Sequence, residues 1–91
     1  MLLTLSPEDY KTLIAIDGHY IKKVQDCFAY VASRHLFVCD IPDRDFQMTF
    51  LELKLKDPYS PLVKIFYDLG IKQDQNFKRD VDEKYNILLR L

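Results

Sequence analysis

Leu51-Glu52-Leu53-Lys54-Leu55-Lys56 alternates apolar and charged residues without a break, the pattern of a strand with one buried face. Upstream, Leu36-Phe37-Val38-Cys39-Asp40-Ile41 is rich in the branched and aromatic residues that suit a pleated surface. Pro42-Asp43-Arg44-Asp45 supplies turn chemistry between them, and Phe46 opens the second extended run. These signals predict an antiparallel hairpin from Leu36 to Lys56. Phe46, Met48 and Phe50 share one parity while Leu51, Leu53 and Leu55 share the other, so a bulge is expected at Phe50 or Leu51.

Helical spacing frames the hairpin. Ser6-Pro7-Glu8-Asp9 reads as a helix start, with Ser as cap, Pro in the first turn and two acids at the positive end of the helix dipole. Tyr10, Leu13 and Ile14 supply its apolar stripe. Two readings fit residues 7–34: a break at Asp17-Gly18, or one helix reaching Ser33 on the seven-residue recurrences of Ile14, Ile21 and Phe28 and of Tyr10, Asp17, Val24 and Val31.

After Asp57-Pro58 closes the hairpin, Ser60-Pro61 opens another helix, with Leu62, Ile65, Phe66 and Leu69 on its buried side. Gly70 is the expected left-handed end of that helix, with Ile71 folding back on Phe66. Phe77, Val81, Tyr85 and Leu88 or Leu89 recur at helical spacing from about Gln75 onward, predicting a final helix. The fold class is therefore α+β: a helical N-terminal third, a central antiparallel β-hairpin and two C-terminal helices in a single small domain, residues 1–91.

Composition mostly excludes. A chain of 91 residues with 48% hydrophobic and 30% charged residues has the make-up of one folded domain. Its net charge of -1 offers no global field for nucleic acid or anionic membrane. Met1–Leu5 is too short for a signal-peptide core, and no apolar run approaches membrane-spanning length, so a soluble, cytoplasmic protein is expected. Cys27 and Cys39 each lie in an apolar stretch, where free buried thiols are expected.

The candidate chemistries are weak in geometry. Pro42-Asp43 followed by Glu52-Leu53-Lys54 matches the PD-(D/E)xK nuclease pattern, in which two acids hold a divalent metal and the Lys assists the attacking water. In the expected hairpin, however, Asp43 and Glu52 lie roughly 20 Å apart at about 3.3 Å per residue. That register makes His35 and Glu52 cross-strand neighbours, but Ser33 is the one nearby hydroxyl and no glycine-rich nest accompanies it. His19, Cys27, His35 and Cys39 lack the close pairs of a zinc site. Gly18 and Gly70 stand alone, which excludes a phosphate-binding loop. No catalytic residue, cofactor or metal is expected.

Leu62 to Leu89 looks like a helix-turn-helix at its Leu69-Gly70-Ile71 turn. Bulky Phe66 stands where close helix crossing needs a small residue, and Asp74, Asp80, Asp82 and Glu83 oppose Lys78, Arg79 and Lys84 toward phosphate. The six tyrosines point elsewhere, since tyrosine buries area at interfaces while its hydroxyl tolerates water. Tyr59, in a loop, and Tyr67, off the apolar stripe, are the candidate contact residues, joined by the apolar terminal residues Leu88 and Leu91.

The expected function is thus a non-catalytic protein-binding module, of the kind a virus or mobile element encodes as an inhibitor or adaptor. It engages a protein partner, a second copy of itself, or both. The alternatives are a small nucleic-acid-binding regulator using the C-terminal helices and the metal-dependent nuclease.

Overall fold

The computed structural model describes residues 2–16 and 18–91, except the side chain of His19. Met1 and the candidate helix break at Asp17 lie outside the described residues. The chain divides into two compact units, Met1–Pro42 and Asp43–Leu91, and its mixture of helices with an antiparallel sheet is α+β.

The first unit runs β1 (Leu2–Leu5), α1 (Pro7–Ile16), α2 (Gly18–Gln25), β2 (Phe28–Val31) and β3 (Leu36–Asp40). Ser6 caps α1 as its sequence suggests, its Oγ accepting from the Asp9 amide at 3.2 Å. The strands lie in the order β1-β3-β2, with β3 antiparallel to both neighbours. Leu3 and Phe28 both oppose Cys39, and Leu5 and Tyr30 both oppose Phe37. Strand alternation therefore puts these residues on one face, toward α1. Tyr10 of α1 stacks on Phe37 with ring centroids 3.8 Å apart and meets Phe28 edge-on at 5.5 Å. Leu3, Leu5, Leu13, Ile21, Val24 and Cys39 are also buried in this unit.

One expectation is corrected in this unit. Helix does not continue to Ser33: from Phe28 the branched and aromatic run Phe28-Ala29-Tyr30-Val31 becomes β2, because β3 offers it a partner edge. Leu2–Leu5, assigned no element from the residues alone, is a strand paired with β3. The β2–β3 turn is closed by the Arg34 amide donating to the Val31 carbonyl and by His35 at φ 50°.

The second unit consists of α3 (Asp43–Lys56), α4 (Pro61–Gln73) and α5 (Phe77–Leu89). The hairpin predicted from Leu36 to Lys56 is therefore overturned in its second half: β3 is a strand, but Phe46 to Lys56 is helix. The six-residue alternation sits on a longer helical stripe of Phe46, Gln47, Phe50, Leu51 and Leu53, all buried. Its leucines do not share a face, for Leu53 is 3% exposed and Leu55 43%. Asp43 and Asp45 in the first turn and Lys54 and Lys56 in the last complement the helix dipole, so the supposed turn residues are a helix start. With Glu52 on a helix, His35 and Glu52 are not cross-strand neighbours.

Ser60 caps α4, accepting from the Leu62 amide at 3.2 Å, with Pro61 in the first turn as expected. Gly70 does not end this helix, which runs on to Gln73 with Asp74 as its cap. No described glycine has positive φ. Gly70 is small for another reason: a Cβ there would enter the ring of Phe77. That ring is fully buried in an aromatic cluster, 5.6 Å from both Phe46 and Phe50, while Phe46 meets Phe66 at 5.8 Å. Gln47, buried on α3, accepts a hydrogen bond from the Lys84 ammonium.

Candidate functional site

Between α3 and α4 the chain turns through Asp57-Pro58-Tyr59-Ser60, and two backbone bonds hold the turn: Asp57 N–H to Leu53 O at 2.7 Å, and Ser60 N–H to Asp57 O at 3.1 Å. Pro58 and Pro61 fix the backbone on either side of Tyr59. The rigid corner leaves the Tyr59 side chain 95% exposed. Beside it opens a groove of about 430 Å³ floored by Phe50, Val63 and Tyr67. Lys54 of α3 and Lys64 of α4 stand along it, and no carboxylate is among the described residues that line it.

The floor is rigid. Phe50 is fully buried and stacks with Tyr67 at 5.6 Å, and Tyr67 meets Phe77 at 6.3 Å. Burial raises the pKa of the Tyr67 phenol, and Asp82 raises it further through its charge and by accepting the hydroxyl hydrogen bond. Lys54 is also held, its ammonium 4.2 Å from the centre of the Tyr85 ring and 5.8 Å from that of Phe50. The result is an open apolar trough with a cation fixed at its edge.

Tyr59 and Tyr67, singled out by sequence, thus meet at one groove, although Tyr67 also belongs to the aromatic cluster. Leu88 and Leu91 lie at the far end of α5, 37% and 97% exposed, and do not line it. The reading that placed Lys54 on a strand face missed Phe50, Lys54 and Lys64. The available signal was the Pro58-Tyr59-Ser60-Pro61 corner, an aromatic residue bracketed by prolines at a helix start.

The nuclease pattern falls within α3, where Asp43 and Glu52 are nine residues apart, or about 14 Å along the axis at 1.5 Å per residue. That distance is too great for two ligands of one ion. Among the described residues no group of three or more His, Cys, Asp or Glu side chains could hold a metal ion. His35 Nδ1 pairs with the Tyr30 hydroxyl at 2.6 Å. Both cysteines are free thiols, but Cys27 is exposed, contrary to expectation, while Cys39 is buried. Burial and the neighbouring Cys27 thiol push the Cys39 pKa up to about 12. Among the described residues no helix is long and apolar enough to cross a membrane. Comparison with known proteins finds no family model, curated protein or solved structure that matches this chain.

Proposed function

We propose that the chain is a non-catalytic protein-binding module that works through the Tyr59–Tyr67 groove, masking or recruiting a partner as an inhibitor or adaptor does. The observation that carries this reading is Tyr59: a large aromatic side chain on a proline-stiffened corner, almost wholly exposed beside a rigid apolar floor. Tyrosine so placed loses little rotamer freedom on contact and buries a large area, the character of an interface anchor. An open trough suits a protein segment better than a metabolite, whose site encloses most of its surface. Free thiols at Cys27 and Cys39 accord with work in a reducing compartment.

The nucleic-acid alternative has the lysines and aromatic rings of the same groove in its favour. Against it, Asp43–Leu91 carries nine basic and nine acidic side chains, so the unit has no net field for phosphate. The test is capture from an extract of the cells that make the protein, with tagged wild type beside Tyr59→Ala. A protein retained by the wild type and lost from the variant supports the reading, whereas equal retention by both refutes a role for the groove.

A further inference from the structure

Resting on that reading, we infer that the groove takes an acidic peptide segment of its partner. An aromatic or aliphatic side chain packs on Tyr59, Val63 and Tyr67, above the buried Phe50 ring, and flanking carboxylates meet Lys54 and Lys64. The argument is charge complementarity on an otherwise apolar surface. The second unit is electrically balanced as a whole, yet the groove is lined by two lysines, and the acids that act on its floor, Asp82 bonded to the Tyr67 hydroxyl and Asp68, are not among its lining residues. Its sign is therefore local to this trough.

Lys54 sharpens the argument. Most surface lysines lose side-chain entropy when they pair, which cancels much of the Coulomb gain. The Lys54 ammonium is already placed against the Tyr85 and Phe50 rings and is only partly exposed. A carboxylate reaching it meets a fixed charge beside an apolar wall, where the pair is less screened than in open water. Lys64, exposed on the first turns of α4, supplies steering rather than a fixed contact.

A phage-displayed library of random heptapeptides selected on the full chain tests this directly. Enriched peptides are expected to hold an aromatic or aliphatic residue flanked by Asp or Glu. Synthetic versions should bind Lys54→Glu and Lys64→Glu at least tenfold more weakly than wild type, and Lys64→Arg about as well. Circular dichroism confirms the fold of each variant, and Lys64, being exposed, is replaceable without disturbing the core.

Peptides that depend on Tyr59 but show no acidic preference overturn the charge assignment and leave the protein-binding reading standing. Peptides indifferent to Tyr59→Ala, or a library that yields none, overturn both. Salt-sensitive binding of oligothymidylate, lost in Lys54→Glu, assigns the groove to single-stranded nucleic acid and overturns the proposal. Self-association abolished by Tyr59→Ala assigns it to a second copy and does the same.

Discussion

Gly70 of α4 lies flat against the ring of Phe77, the first residue of α5, so closely that no side chain fits between them. Glycine inside a helix usually weakens it by about 1 kcal/mol relative to alanine. Here the sign reverses, because the added methyl meets a fully buried ring rather than solvent. Gly70→Ala should lower stability by about 1–3 kcal/mol, as overpacking does. Thermal or urea unfolding checks it, and pairing Gly70→Ala with Phe77→Leu should recover part of the loss relative to the sum of the two single changes.

Leu53 and Leu55 separate the strand and helix readings of the same sequence. On a strand both point to one face, whereas on α3 Leu53 is buried and Leu55 half out in water. Leu53→Lys should cost several kcal/mol, as burying an unpaired charge does, and Leu55→Lys about 0.5 kcal/mol or less. Urea midpoints for the two variants give the comparison.

Helix starts in the second unit differ in how they are capped. Ser60 accepts the Leu62 amide, while Asn76 at the head of α5 makes no side-chain cap bond; the Asp74 carboxylate instead accepts the Asn76 amide at 2.9 Å. Ser60→Ala should therefore cost about 1 kcal/mol and Asn76→Ala only a few tenths. Asp74→Ala, which also removes the bond to the turn, should exceed Asn76→Ala in the same denaturation series.

Alkaline pH should destabilise the protein, and the direction follows from two acids whose folded pKa values are raised. Cys39 stays protonated to about pH 12 when folded, whereas the ordinary thiol value is 9.0. Between those values the unfolded chain binds fewer protons than the folded one, so stability present below pH 9 is lost as pH rises toward 12. The raised pKa of Tyr67 acts in the same sense above its ordinary value of 10.0. Cys39→Ala should flatten the thiol part of the decline, measured as unfolding midpoint against pH, though its baseline stability will be lower.

The same burial orders the thiols kinetically. Exposed Cys27 should react with iodoacetamide in the native protein much faster than buried Cys39, and denaturant should remove the difference. Peptide mapping after timed alkylation reads this out. Equal native rates would mean that Cys39 is accessible.

Where a helix start uses a local device, the chain announces it. Ser6-Pro7 and Ser60-Pro61 set α1 and α4 through a hydroxyl and a ring within one turn, and both were legible from residue types alone. The class of β3 was legible too, from its branched and aromatic run. The partner of β3 was not, because pairing is decided by distant edges: Leu2–Leu5 and Phe28–Val31 compete for it on equal physical terms with any other extended run. Phe46 to Lys56 misled because six residues satisfy period two while the helical stripe spans eight positions, Phe46 to Leu53, and the longer pattern governs. Gly70 carries the commonest signature of a helix end, and only the Phe77 ring, packed against it from the next helix, explains a glycine inside α4. Of the groove, the tyrosines could be suspected from composition, but Lys54 and Lys64 acquire meaning only once α3 and α4 bring them to one trough.

The central position of β3 also imposes an order on how the first unit assembles. β2 reaches β3 across a short turn, whereas β1 must cross more than thirty residues to align Leu5 with Phe37. Closing the longer loop carries the larger entropic barrier, so the β2–β3 pair forms early and gains β1 late. Side chains on β1, such as Leu3, should then affect the unfolding rate far more than the folding rate, while those that join β2 to β3 affect both. On this order β1 is the last strand to acquire a neighbour, and until it does one edge of β3 stays open to pairing with another chain.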